Sequence, residues 1–156
     1  MTEAAQIAVV GAGIMGSAIA TRLIETKQTV TMFDLDKAKV AALTAKGAAA
    51  AASVAEATHA SSFVILSLNH ADIVRSVVFG DGGVAAAASS EKLLIDMSSI
   101  DPADTAEMAK KLFAETGMKW LDCPLSGGVP GALAGRLTVM AGGEAADFEH
   151  ARTVMR

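Results

Sequence analysis

The chain has 156 residues, of which 52% are hydrophobic and 19% charged, a composition that buries a core and excludes intrinsic disorder. Its formal net charge is −4, and without a basic stripe no nucleic-acid partner is expected; Lys110-Lys111 reads as a solvated helix face. Cys123 is the single cysteine, so no intrachain disulfide or Cys-x-x-Cys metal site can form, and a reducing compartment suits it. Residues 1–5 lack the basic start and apolar run of a signal peptide, and the alanine runs at 48–52 and 85–88 are far too short to span a bilayer. A cytoplasmic protein with no membrane partner is expected.

In chain order, the apolar, β-branched run Gln6–Val10 reads as a buried strand, and Ile14–Glu25 follows with apolar residues at helical spacing. Thr29–Phe33 is a second strand. Asp36 caps a helix over Lys37–Ala45, ended by Gly47. A short strand at Ala48–Ala51 and a brief helix at Val54–Thr58, capped by Ser53, come next. Phe63–Leu68 is a strong buried strand, Ala71–Val78 a helix and Lys92–Asp96 another strand. Asp101 caps the helix Pro102–Glu115, with proline at its first position. After a strand at Lys119–Asp122, a Gly/Pro-rich loop runs to Gly135, a last strand covers Leu137–Ala141, and Ala145–Arg156 is helical. Strands alternating with helices predict an α/β fold of Rossmann type, a mostly parallel sheet with helices on both faces, in one domain over residues 1–156.

Gly11-Ala12-Gly13-Ile14-Met15-Gly16 fits G-x-G-x-x-G. The spacing alone is weak, and Gly80-Asp81-Gly82-Gly83-Val84-Ala85 matches a variant of it after a helix, where it reads as a turn. The first copy differs because it follows a strand and opens a helix. There Gly11 makes the tight turn, Gly13 lets a pyrophosphate approach the backbone, and Gly16 lets helix and strand pack closely. The helix N-terminus faces the anion. An acidic residue is expected about twenty residues on, at the end of the second strand, to bind the adenosine ribose; Asp34 stands there. Its charge would repel a 2′-phosphate, which favours NAD, while Lys37 and Lys39 leave NADP open. Asp34 could otherwise be a helix cap, but Asp36 is better placed for that.

Three further segments join this one: Ser67–Gly80 (SLNHADIVRSVVFG), Asp96–Pro102 (DMSSIDP) and Asp122–Gly143 (DCPLSGGVPGALAGRLTVMAGG). With GAGIMG they make the chain resemble the β-hydroxyacid dehydrogenase family over nearly its whole length. Members of that family include 3-hydroxyisobutyrate dehydrogenase and tartronate semialdehyde reductase, and 6-phosphogluconate dehydrogenase has a related N-terminal domain. The resemblance implies hydride transfer between a nicotinamide cofactor and a small, carboxylate-bearing β-hydroxy acid or semialdehyde. The family's Leu-Pro pair beside the cofactor is here Leu68-Asn69; the proline is missing, so Asn69 and His70 would line the nicotinamide side with altered polarity. Its Asp-x-Ser-[Ser/Thr] segment matches Asp96–Ser99 and puts the Ser99 hydroxyl against the cofactor. Its substrate loop matches Ser126, Gly127 and Gly128, where exposed N–H groups and a hydroxyl make a nest suited to a carboxylate. On spacing alone, Ser98 and Ser99 could merely precede the helix capped by Asp101, and Gly127-Gly128 could be a flexible turn.

Cys123 reads as a buried thiol rather than a nucleophile. His59, His70 and His150 form no metal-ligand pattern, and Met15, Met97, Met108 and Met118 default to core packing. Hydride transfer to a carbonyl also needs a proton donor. In the family this is a lysine on a helix of a second, all-helical domain, followed one turn later by a substrate-holding asparagine. The resemblance places that lysine past Arg156, and Lys110, Lys111 and Lys119 do not replace it, so no residue here is assigned a catalytic role. The last helix has no C-cap glycine, which reads as a fragment lacking that domain, with an uncovered apolar surface favouring self-association. Two alternatives stand beside a hydroxy-acid oxidoreductase: an imine-reductase-like enzyme, and an NAD-binding module without turnover.

Overall fold

The computed structural model describes residues 3–155; the expectations that touched Met1, Thr2 and Arg156 lie outside the described residues. Strands β1 (Gln6–Val10), β2 (Thr29–Phe33), β3 (Ala49–Ala50), β4 (Phe63–Leu66), β5 (Leu93–Asp96) and β6 (Lys119–Asp122) form one sheet in the order β3-β2-β1-β4-β5-β6. Every pairing in it is parallel. The connecting helices are α1 (Ile14–Glu25), α2 (Lys37–Thr44), α3 (Val54–His59), α4 (Ala71–Phe79) and α5 (Pro102–Thr116).

Parallel strands buried on both faces need continuous apolar runs, and β1, β4 and β5 supply them. Alternate residues serve opposite faces. Ile7 and Val9 join Ile65, Ile95 and Ile19 of α1 in one core, while Ala8 and Val10 join Val64, Leu94, Val74 of α4 and Met108 of α5 in the other. After β3 the chain crosses back to place β4 on the far side of β1. The order therefore reverses between β1 and β4, and a crevice opens beyond their carboxyl ends.

Asp36, Ser53 and Asp101 accept N–H groups of the helices they precede, as expected. The stretch Gly80–Gly83 is a turn leading into a short 3-10 helix at Val84–Ala87.

The segment after β6 departs from expectation. The Gly/Pro-rich stretch is not a loop: it holds β7 (Leu125–Ser126) and α6 (Gly128–Ala134). β8 (Thr138–Val139) is not a further strand of the main sheet but pairs antiparallel with β7 in a separate two-stranded sheet. Gly127 (φ 131°) and Gly135 (φ 68°) bracket α6, and Pro130 falls in its first turn, where no intrahelical N–H is required. Ala132 buries against the α1 side of the core. A seven-residue helix with two glycines and a proline is too short to show a hydrophobic period, which is why composition alone reads as loop. The chain then closes with α7 (Ala145–Met155).

β4 ends at Leu66 rather than Leu68, because the Leu68 N–H leaves the ladder to donate to Ser98 Oγ at 2.9 Å. β5 ends on Asp96, a carboxylate with 0% exposure in an otherwise apolar strand. Burial pushes its carboxyl from the ordinary 3.8 up to about 6; hydrogen bonding from Ser98 opposes the rise and nearby Asp122 adds to it.

Two outcomes are expected. A Cβ on Gly16 would collide with the Gly11 carbonyl oxygen, whereas one on Gly13 meets nothing. Gly16→Ala should therefore lose about 1–3 kcal/mol in urea unfolding, and Gly13→Ala should stay within about 1 kcal/mol of wild type. The second concerns Asp96. Its folded-state pKa is raised, so the folded chain binds more protons than the unfolded one between about pH 4 and 6, and stability falls as pH rises through that window. Asp96→Asn removes this loss. Its urea midpoint should gain on wild type between about pH 4.5 and about pH 7.5; a constant gap would contradict the assignment.

Candidate functional site: a dinucleotide crevice at the strand ends

Gly11 adopts φ 106°, and its N–H donates to the Phe33 carbonyl at 3.0 Å. A side chain there would strike the Ser67 carbonyl oxygen, so the turn off β1 fits only glycine. The Asp34 carboxylate braces this turn. Its Oδ2 accepts the Ala12 N–H at 2.6 Å and its Oδ1 accepts the Asp36 N–H at 2.7 Å. Asp34 is thus fixed just beyond β2, within the same loop cluster as the glycine turn, and Asp36 alone caps α2.

The N-terminus of α1 carries no side-chain cap and no acidic residue in its first turn. The first N–H groups of a helix have no intrahelical acceptor, and together with the helix dipole they favour an anion. Gly13 leaves that approach open, since its Cβ position faces empty space. Ile14 beside it is 80% exposed, an apolar side chain that a bound molecule would cover. A diphosphate fits this cradle.

On either side of the cradle the surface is hollow. One hollow, of about 500 Å³, lies beside Asp34 and is walled by Phe33, Val40, Ala41 and Ala51, with Lys37 and Glu56 at its edge. The other, of about 310 Å³, is lined by Met15 of α1, by Ser67, Leu68 and Asn69 after β4, by Met97 and Ser99 after β5, and by Leu125 and Gly128. The segments singled out by sequence therefore converge: Met15, Leu68, Asn69, Ser99 and Gly128 share one cleft. Ser126 and Gly127 are exposed beside it. Gly127 (φ 131°) and Gly128 (φ 62°) both occupy the positive-φ region, a conformation that favours glycine at both positions.

Spacing alone does not separate Ser98 from Ser99; the resemblance points to Ser99. The structure separates them: Ser99 is exposed at the cleft, and Ser98, 3% exposed, turns inward to accept the Leu68 N–H. Alternation along an extended segment is the signal that divides such a pair. Cys123 is fully buried, and its thiol is pushed up to about 12 by burial and by the Asp122 and Asp96 charges, far from a reactive thiolate. Burial likewise raises the Asp122 carboxyl. Among the described residues no group of three or more His, Cys, Asp or Glu side chains could hold a metal ion, and no helix is long and apolar enough to cross a membrane.

Comparison with known proteins agrees with this geometry. A family model described as the NAD binding domain of 6-phosphogluconate dehydrogenase matches residues 6–156. The chain is 41% identical to 2-(hydroxymethyl)glutarate dehydrogenase of Eubacterium barkeri over 99% of its own length and 51% of that protein's. Among solved structures, Mycobacterium tuberculosis 3-hydroxyisobutyrate dehydrogenase with L-serine superposes with a TM-score of 0.91 at 34% identity, covering 98% of this chain and 51% of that one. An imine reductase variant from Myxococcus stipitatus in complex with NAD+ superposes with a TM-score of 0.89 at 26% identity, covering 97% and 51%. The chain thus spans about half the length of the relatives it matches. With a glycine turn, an uncapped helix end and a braced acidic residue all within the matched residues, the chain belongs to the family of NAD-binding domains of the 6-phosphogluconate dehydrogenase type, as found in hydroxy-acid dehydrogenases.

Proposed function

We propose that this chain is the cofactor domain, over residues 1–156, of an oxidoreductase that passes a hydride between NAD and a small β-hydroxy acid or its semialdehyde. The observation that carries the reading is the shared cleft: Met15 at the start of α1, Leu68, Asn69, Ser99 and Gly128 line one hollow, with Ser126 and Gly127 next to Gly128 in the chain. Gly11 through Gly16 hold the diphosphate, Asp34 accepts from the adenosine ribose hydroxyls, and Leu68, Asn69 and Ser99 line the nicotinamide. Ser126, Gly127 and Gly128 receive the substrate carboxylate through N–H groups and a hydroxyl. The bound nicotinamide supplies or accepts the hydride; the chain's own residues orient it and shield one side of it.

The reaction also moves a proton at the substrate oxygen. No lysine lines the cleft among the described residues. In this reading the proton comes from a lysine of a second, helical domain, and the chain alone turns over slowly or not at all. Exposed apolar side chains such as Phe113, Leu133 and Met140 give a surface through which the isolated chain would self-associate. An imine-reductase-like function is the second reading, favoured by the likeness to the Myxococcus stipitatus enzyme. The glycine-built turn after Ser126 supports a carboxylate substrate and hence the first reading. Turnover assays on a chain bearing the second domain separate both from a non-catalytic NAD-binding module.

The preference for NAD over NADP rests on Asp34, whose charge would face a 2′-phosphate. In calorimetry the wild-type chain should bind NADH at least about tenfold more tightly than NADPH, a difference of about 1.4 kcal/mol. Asp34→Arg should reverse the order. Equal affinities in both proteins would remove Asp34 from the ribose site.

A further inference from the structure

Asp96 and Ser98 touch nothing in the cleft, yet the residues interleaved with them do. Met97 and Ser99 line it, and so do Leu68 and Asn69 across from them. Asp96 is 0% and Ser98 3% exposed. Asp96 Oδ1 accepts the Ser98 N–H at 2.9 Å, and Ser98 Oγ accepts the Leu68 N–H at 2.9 Å. The Asp96 backbone carbonyl accepts the Cys123 N–H at 2.7 Å, two residues before Leu125 enters the same cleft. One buried position therefore ties together the segments after β4, β5 and β6, where the regular ladder between them has ended at Leu66, Asp96 and Asp122.

We infer that Asp96 and Ser98 are positioning residues for the nicotinamide side of the crevice: Asp96 fixes the Ser98 backbone, and the Ser98 hydroxyl oxygen fixes the Leu68–Asn69 lip. The inference rests on the nicotinamide reading proposed above. Two physical arguments support it. Beyond the last paired row, the Leu68 N–H has no strand carbonyl to meet, and leaving a half-buried N–H unpaired is costly; Ser98 supplies the acceptor. A carboxylate in a buried apolar row is itself destabilising, and Asp96 Oδ2 has no hydrogen-bond partner among the described residues. A break in local consistency of this kind, placed beside a site, points to a functional constraint.

The test uses the 156-residue chain, NADH as a probe of the whole crevice and ADP-ribose, which lacks only the nicotinamide, as a probe of the rest of it. Asp96→Ala and Ser98→Ala should weaken NADH binding about tenfold and leave ADP-ribose within about twofold of wild type, because Gly13 and Asp34 are untouched. Asp96→Asn and Ser98→Thr keep the acceptors and should restore NADH affinity to within about threefold of wild type. A merely structural role would lower both ligands together; that result, or unchanged NADH affinity in the alanine variants, overturns the inference. Hydrogen exchange on the wild type gives a measurement independent of whether those variants fold: the Leu68 amide should be protected relative to Asn69, and equal exchange would also overturn it. Failure of wild type to bind either ligand would instead sink the nicotinamide reading, and the inference with it.

Discussion

Between Gly11 and Ser67 there is room for a hydrogen atom and no side chain. The carbonyl of Ser67, just past β4, lies where a Gly11 Cβ would be, and the Gly11 carbonyl lies where a Gly16 Cβ would be. This backbone-on-backbone contact sets the geometry of the whole crevice. It brings the start of α1 down onto the ends of β1 and β4, at the point where the sheet order reverses. It leaves the first N–H groups of α1 facing outward without a cap. It also places Met15 within the same hollow as Leu68 and Asn69. A bulkier residue at either glycine would lift the helix from the sheet and separate the anion cradle from the cleft it serves.

In the proposed site, Asp34 would join fold and recognition in one side chain. Each of its oxygens already accepts a backbone N–H, one from Ala12 in the turn and one from Asp36 at the start of α2. A carboxylate oxygen has more than one lone pair to offer, so these bonds orient the group without exhausting it. The turn is therefore held in shape before any ligand arrives, which lowers the ordering that binding must supply. The cleft at the other end is built differently. There the positive-φ pair Gly127-Gly128 and the inward-turned Ser98 set the walls, and the chemistry facing the cleft is hydroxyl, amide and thioether rather than charge.

Much of this was legible from residues alone where local rules and burial agree. β1, α1 and β2 have the bounds their hydrophobic runs imply, and Asp36, Ser53 and Asp101 cap the helices they precede. The glycine turn could be read because each glycine answers a separate steric demand. The region from Leu125 to Val139 was not legible in the same way. α6 has only seven residues, among them two glycines and a proline, and is too short to show a hydrophobic period; its fold is decided by packing against α1 and by turns at Gly127 and Gly135. The role of Ser98 was also hidden, because only the tertiary position of the Leu68 N–H shows that its hydroxyl turns inward.

The central claim is that one dinucleotide spans this crevice, with its diphosphate on the end of α1. Amide chemical-shift mapping of the chain with NAD tests it most directly. The largest shifts should fall on Gly13, Ile14 and Met15, with further shifts at Leu35 beside Asp34 and at Asn69 and Ser99 across the cleft. Shifts confined to another face, such as the outer surface of α5, or none at millimolar NAD, would contradict it.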